Sequence, residues 1–295
     1  MNIQSYSKML RFQDSVKLAF WIPLAGAVLV NVSFKNFILV AIISFCFTSF
    51  AFVINNYFDV TIDKKNQDKI KSKTNPLSQG LVTKKGTLIL LGVLLIISIL
   101  LSLQLNFIGF IFVSLSIFLS TLYSISYIRL KEKNIIDIIN HGLMFGLFPF
   151  LAGMALAGGE INILLVMIAF LFTILSSSAL LSHQIIDYEE DLGNTETTAI
   201  KIGREKSYIL LFLFLIISLS LFEIIILKYY PNIQWWLFYP SLSLLIFWWL
   251  PLKLLRQLSK KRIKDTLIER LLLPNMIYEN KIKVYQDKIK KIFFE

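Results

Sequence analysis

The sequence is poor in the residues that build most familiar catalytic centres. It has one cysteine, Cys46, and two histidines, His141 and His183, in 295 residues. A lone cysteine excludes a disulfide within the chain and a cysteine metal cluster. No Walker-type phosphate loop, zinc signature or catalytic-triad pattern is present, and no long polar stretch offers a water-soluble domain for another chemistry. The N-terminal MNIQSYSKMLRFQDSVK is polar for too long to resemble a secretory signal, and no small-residue cleavage site follows it. Acidic residues are also scarce, 19 against 30 Lys and Arg, for a net charge of +11. In a soluble protein that balance would raise nucleic acid as a partner. Here the basic residues cluster between apolar blocks, so the charge reads as membrane orientation, with no nucleic acid implied.

What the chain has in quantity is apolar length. Hydrophobic residues make up 56%, and the mean hydropathy is +0.68. A soluble domain is about 45–50% apolar. The excess falls in blocks long enough for a bilayer, which takes about 20 residues each. Eight spans are predicted, at about 18–34, 37–57, 86–104, 107–127, 135–157, 161–182, 207–228 and 234–252. Their apolarity is continuous, not alternating, so they read as helices whose backbone groups are satisfied internally. The fold expected is an all-α, multi-span transmembrane bundle. Residues 1–252 form its single domain, and a basic tail, 253–295, follows. The tail's IKVYQDKIKKIFF places apolar residues at helical spacing beside lysines, the pattern of a helix lying on a membrane surface.

Charge placement supports this division. With the N-terminus in the cytoplasm, all Lys and Arg except Lys35 and Lys228 fall in cytoplasmic segments, as the positive-inside rule requires. Both termini are then cytoplasmic. The external turns 31–36 and 158–162 are tight, whereas two internal loops, about 58–85 and 183–206, are long. Long polar loops tend to carry function.

Those two loops hold a repeated acidic pattern. The first reads NNYFDVTID, with Asn55, Asp59 and Asp63 spaced by four. The second reads HQIIDYEED, with His183, Asp187 and Asp191 at the same spacing. Four-residue spacing at a helix end puts all three on one face. Each motif ends an even-numbered span, the second and the sixth, which looks like a pseudo-duplicated four-helix unit. Carboxylates stacked at i and i+4 repel, and acids near a membrane are costly unless paired or functional. Mg²⁺ relieves both penalties. It takes hard oxygen ligands and is commonly held by carboxylates together with substrate phosphates. Two such faces opposed across a cavity suit a diphosphate bridged by Mg²⁺, whose charge would stabilise the departing diphosphate. The competing class is a transporter or channel with an acidic cation path. It predicts acids within spans, whereas these sit at span ends.

With these motifs the sequence resembles the UbiA-type intramembrane prenyltransferase superfamily, which has NxxxDxxxD after its second helix and DxxxD after its sixth. Further matching stretches are KSKTNPLSQG with Pro76 and Gly80, DLGNTETTAIKIG with Gly193, Thr198 and Gly203, and YSISYIRLK with Tyr123, Tyr127, Arg129 and Lys131. The match runs in order over about residues 10 to 250. The resemblance implies transfer of a prenyl group from a prenyl diphosphate to a lipophilic acceptor. An aromatic, quinone-type acceptor is favoured by family frequency, with a glycerol-phosphate or sugar-phosphate hydroxyl as the alternative. It implies Mg²⁺ ligation by Asp59, Asp63, Asp187 and Asp191 with Asn55 beside them. It also implies diphosphate binding by Lys131 and Arg129, helped by Tyr123 or Tyr127. The bundle is expected to surround a central cavity open to lipid and capped by the two cytoplasmic loops. The chain departs from the family in three places. Nine helices are usual where eight are read here. Lysines, with Lys73 assigned to the substrate, stand where arginine is common before Pro-Leu, and Ser126 and Tyr127 stand where the family carries proline. The partners expected are the prenyl diphosphate, the acceptor and the bilayer; no protein partner is indicated.

Other polar residues have two readings each. His141, with Asp137 one turn before it and Asn140 beside it, reads either as an acceptor-pocket group that removes a proton or as a helix–helix hydrogen bond. His183 reads as an aid to the metal site or as an interfacial residue with no role. Gly142, Gly146 and Ser176–Ser178 read as close helix packing. Trp235, Trp236, Trp248 and Trp249 read as interfacial anchors.

Overall fold

The structure is a computed structural model and describes residues 3–11, 19–64, 75–193 and 195–229. The expected eighth span with its tryptophans, the basic tail and Lys73 lie outside the described residues. Within them there are helices and no strand.

Six helices are long and apolar enough to cross a membrane. Two short helices come first, α1 (Ile3–Met9) and α2 (Trp21–Val28). The first long helix, α3 (Phe34–Phe58), carries the first motif and continues into a single turn, α4 (Val60–Asp63). Next come α5 (Lys84–Leu105) and α6 (Phe107–Ser124). The following span is composite: α7 (Ile136–Gly142), a π-type turn (Leu143–Leu147) and α8 (Phe148–Leu156). Then α9 (Ile163–Ile186) carries the second motif and runs on into the turn α10 (Tyr188–Asp191). A short α11 (Thr198–Ile202) and the long α12 (Arg204–Tyr229) complete the described chain.

The sequence dictates where these helices start. Ser33, Thr83, Asn106 and Asn162 each accept a backbone N–H of the first turn through a side-chain oxygen. This satisfies donors that a helix cannot satisfy itself. Asn106 also closes α5, so the α5–α6 turn is one residue wide. Inside the spans, hydroxyls bond back to the carbonyl four residues earlier, as Thr48 does to Ser44, Ser98 to Leu94 and Ser178 to Ile174. A hydroxyl in apolar surroundings thereby keeps a partner.

The long helices leave wide apolar faces uncovered: Leu88, Ile96 and Leu100 on α5, and Phe212, Ile216 and Leu227 on α12. Faces of that size on helices of this length fit lipid, not water. The chain is an integral membrane protein. The interior is built by α3 packed on α5, α6 and α2, by α8 against α2 and α6, and by α9 against α7 and α12.

The α7–α9 seam is the closest contact relevant to function. A Cβ on Gly146 would lie 2.6 Å from both the Phe172 carbonyl oxygen and Thr173 Cα, and one on Gly142 would strike Ser177 Oγ. The packing reading of these glycines holds. Small residues let the two backbones approach, and the hydroxyl of Ser177 then reaches the Ile138 carbonyl at 3.0 Å.

Candidate active site

The two acidic motifs share one backbone design. In each, the long helix stops at the middle aspartate, which takes a conformation between helix and strand: φ −89°, ψ 1° at Asp59 and φ −88°, ψ 5° at Asp187. A four-residue turn then follows. The i→i−4 bonds nevertheless persist across the break. Asp59 N donates to Asn55 O at 3.0 Å and Asp63 N to Asp59 O at 2.8 Å; Asp187 and Asp191 repeat this at 2.9 Å each. The aspartates thus stay on one face while the axis bends. The sparsely populated region they occupy is one that active-site residues often use.

Their surroundings differ. Asp59 and Asp63 are buried, with 4% and 1% exposure, whereas Asp187 and Asp191 are half-buried. A buried carboxylate needs charge or donors around it. For Asp59 they come from the turn after α6. Arg129 takes a left-handed conformation, φ 45°, which swings the following one-turn 3₁₀ helix, Leu130–Glu132, back over the end of α3. Lys131 Nζ then donates to Asn55 Oδ1 at 3.1 Å and to the Asp59 carboxylate, and Arg129 Nη2 approaches Asp59 Oδ1 at 3.3 Å. Arg129 is itself held by Glu132 at 2.6 Å. For Asp63 the donor is Asn75 Nδ2, at 2.8 Å. Asn75 also folds the Pro76–Gly80 turn, accepting from Leu77 N and Ser78 N, the side-chain turn geometry for which asparagine is suited.

The second motif is reached through Asp137. This fully buried carboxylate accepts from Ile138 N at 2.7 Å, Gln184 Nε2 at 2.7 Å, Thr198 N at 2.9 Å and the Thr198 hydroxyl. Gln184 in turn accepts from Ala199 N at 3.1 Å, and Thr198 Oγ1 accepts from Ile135 N at 2.6 Å. Ile135 has φ 66°, a strained conformation for a β-branched residue. One segment, residues 129–137, therefore touches both motifs. Its first part carries Arg129 and Lys131 against Asp59, and its last part ties Asp137 to Gln184, three residues before Asp187. Both acidic ends lie at the same end of the bundle.

The structure gathers Asn55, Asp59, Arg129 and Lys131 into one cluster, with Asp63 held beside it by Asn75. Asp187 and Asp191 sit at the end of α9, linked to that cluster through residues 129–137. Tyr123 lies instead beside His141, ring centroids 6.4 Å apart. Tyr127 is 96% exposed, and His183 is exposed. Asp137 and His141 do not join. Asp137 is engaged with Gln184 and Thr198, and His141 Nδ1 is 3.0 Å from the Ser176 carbonyl, the helix–helix bond. The reading of residues one at a time gave no role to Asn75 or Gln184. The asparagine before proline was the available signal for the first; Gln184 offered none.

Among the described residues no three His, Cys, Asp or Glu side chains form a ready metal-ligating group. The donor set still fits Mg²⁺, since Asn55, Asp59, Asp63, Asp187 and Asp191 all offer hard oxygen. Lys131 shows that the Asn55–Asp59 pair already gathers around a cation.

Comparison with known proteins is consistent with this geometry. The model of the UbiA prenyltransferase family matches residues 16–273. A protein described as 4-hydroxybenzoate octaprenyltransferase, from Blochmanniella pennsylvanica, is 30% identical over 147 residues, which are 50% of this chain and 48% of that protein. The chain thus spans about half the length of the curated relative it matches. The structure of a UbiA homolog from Archaeoglobus fulgidus, bound to GPP and Mg²⁺, matches with a TM-score of 0.71 at 20% identity, over 98% of this chain and 96% of that one. A structure described in connection with digeranylgeranylglyceryl phosphate synthase matches with a TM-score of 0.64 at 20% identity, over 98% and 95%. Motif order, fold and family model agree: the chain is an integral membrane protein belonging to the UbiA prenyltransferase family.

Proposed function

We propose that this chain transfers a prenyl group from a polyprenyl diphosphate to a lipophilic acceptor and releases diphosphate. The observation that carries the reading is the Asn55–Asp59–Arg129–Lys131 cluster, tied through residues 129–137 to the second acidic helix end. It combines hard carboxylates with two cations, the combination a metal-bound polyanion needs. Mg²⁺, held by Asp59, Asp63, Asp187 and Asp191 with Asn55 beside them, would supply charge that offsets the departing diphosphate. Arg129 and Lys131 bind the diphosphate oxygens, and Tyr123, at the last turn of α6, stands on the apolar side of the same site.

The favoured acceptor is an aromatic, quinone-type precursor, in line with the relative described as 4-hydroxybenzoate octaprenyltransferase. A glycerol-phosphate hydroxyl is the second reading, favoured by the fold match to the digeranylgeranylglyceryl phosphate synthase work. The positive-inside bias supports a site and termini on the cytoplasmic face. The motif aspartates stand at helix ends and not within spans, which disfavours a transport path.

The test is purified protein in detergent with labelled geranylgeranyl diphosphate, Mg²⁺ and a panel of acceptors. Mg²⁺-dependent transfer is expected. Neither turnover nor binding of any prenyl donor would overturn the proposal.

A further inference from the structure

We infer that His141 is the acceptor-side base of this site: its Nε2 receives the hydrogen of a hydroxyl on the acceptor. The inference rests on the transferase reading above.

Nδ1 of His141 lies 3.0 Å from the Ser176 carbonyl oxygen. A carbonyl only accepts, so Nδ1 carries the hydrogen and the neutral ring presents a lone pair at Nε2. The ring cannot turn freely. The Gly142–Gly146 seam draws α7 against α9 and brings Ser176 within reach, and the π-type turn begins directly after Gly142. Such turns occur mostly as single bulges at functional sites. The ring is also fixed by its neighbours, with Phe145 at 4.9 Å and Tyr123 at 6.4 Å between centroids. It is nevertheless half-buried, not sealed.

Phe145 stacks on Phe52, centroids 5.7 Å apart. The rings of Phe52, Phe145, His141 and Tyr123 therefore form one continuous strip. At one end Phe52 precedes Asn55 by one helical turn. At the other, Tyr123 ends α6, which runs into the turn carrying Arg129 and Lys131. Both ends of the strip are thus joined, within a few residues of chain, to the elements that carry the cluster. Aromatic faces suit a flat acceptor and an allylic cation, and Nε2 is the basic atom among them.

The C1–O bond of the prenyl diphosphate breaks and its electron pair leaves with diphosphate. With an alcohol, the acceptor oxygen bonds to C1 and its hydrogen moves to Nε2. With a phenol, a ring carbon beside the hydroxyl bonds to C1 while the hydroxyl hydrogen moves to Nε2, giving a neutral dienone. The dienone then loses its ring proton to solvent, and the imidazolium returns its hydrogen to the oxygen.

The experiment uses full-length His141→Asn and His141→Gln. Asparagine keeps a donor for Ser176 and has no atom at the Nε2 position. Each is assayed with geranylgeranyl diphosphate and Mg²⁺ against 4-hydroxybenzoate and, separately, a glyceryl phosphate ether with a free hydroxyl. Donor binding, measured without acceptor, should stay near the wild-type value, while kcat falls about 10²–10⁴-fold. More acidic fluorinated phenols should recover part of the phenol loss. The acceptor with which wild type works identifies the hydroxyl as phenolic or alcoholic. Unchanged kcat in both variants would overturn the inference, as would parallel losses in donor binding and thermal stability. Wild type that neither transfers to an acceptor nor binds a prenyl diphosphate would remove the transferase reading, and this inference with it.

Discussion

Replacing Asp137 by alanine tests whether the segment between the motifs holds the second loop in place. The substitution removes the acceptor for four donors: Ile138 N, Gln184 Nε2, Thr198 N and the Thr198 hydroxyl. The Gln184 amide can turn, at the expense of its bond from Ala199 N. The remaining donors are buried, and each left unsatisfied costs about 1–3 kcal/mol. Partial relaxation brings the expected total to about 3–5 kcal/mol, in the range for breaking a buried charged group's partners. The α11 segment is short and held chiefly at Thr198 and Ala199, so the loss should appear as local opening of residues 192–203 before the bundle unfolds. At 1.4 kcal/mol per tenfold, amide hydrogen exchange over that segment should speed by about 10²–10³-fold. Asp137→Asn should fall between, because its amide group meets the donors of Gln184 or Thr198 on one side while the other oxygen still accepts. The assay is exchange in detergent or nanodiscs read by mass spectrometry, with the peptide over α5 as internal control. Wild-type exchange at 192–203 in Asp137→Ala would refute the reasoning.

Asp59→Asn and Asp187→Asn should each abolish Mg²⁺-dependent transfer while leaving membrane insertion intact, and full activity in both would remove the metal assignment. Lys131→Met should raise KM for the prenyl diphosphate by about tenfold or more, the loss of one charge-assisted contact, and should also lower the melting temperature, because it leaves the buried Asp59 carboxylate with Arg129 alone. A lowered melting temperature with unchanged KM would make Lys131 a structural partner of Asp59 alone. Gly146→Ala should destabilise by about 1–3 kcal/mol, because its Cβ meets the backbone of Phe172 and Thr173. Thermal denaturation in detergent measures it, and an unchanged midpoint would show that the seam can open without loss.

Much of this was legible in the sequence because it depends on local rules. The four-residue spacing of Asn55, Asp59 and Asp63 needs only helical geometry, and the repeat at His183, Asp187 and Asp191 needs only comparison. The starts of α3, α5, α6 and α9 follow from Ser33, Thr83, Asn106 and Asn162. What was not legible depends on contacts distant in sequence. Spacing placed Asp137 and His141 on one face, and both do turn toward α9. They meet different residues there because α7 and α9 run antiparallel, bringing Gln184 to one and Ser176 to the other. Nothing local announces that Thr198 will satisfy Asp137, or that a left-handed Arg129 will fold the basic turn back over α3. The composite fifth span likewise reads as one apolar run, because a π-type turn leaves no mark on hydropathy.

Because residues 129–137 touch one acidic helix end with their first half and the other with their second, the two ends are tied together. Lifting α11 away would free the Ile135 amide and relax the backbone there. That relaxation reaches Lys131 within four residues and loosens its hold on Asn55 and Asp59. A disturbance at the second acidic helix end would thus be felt at the first carboxylate pair.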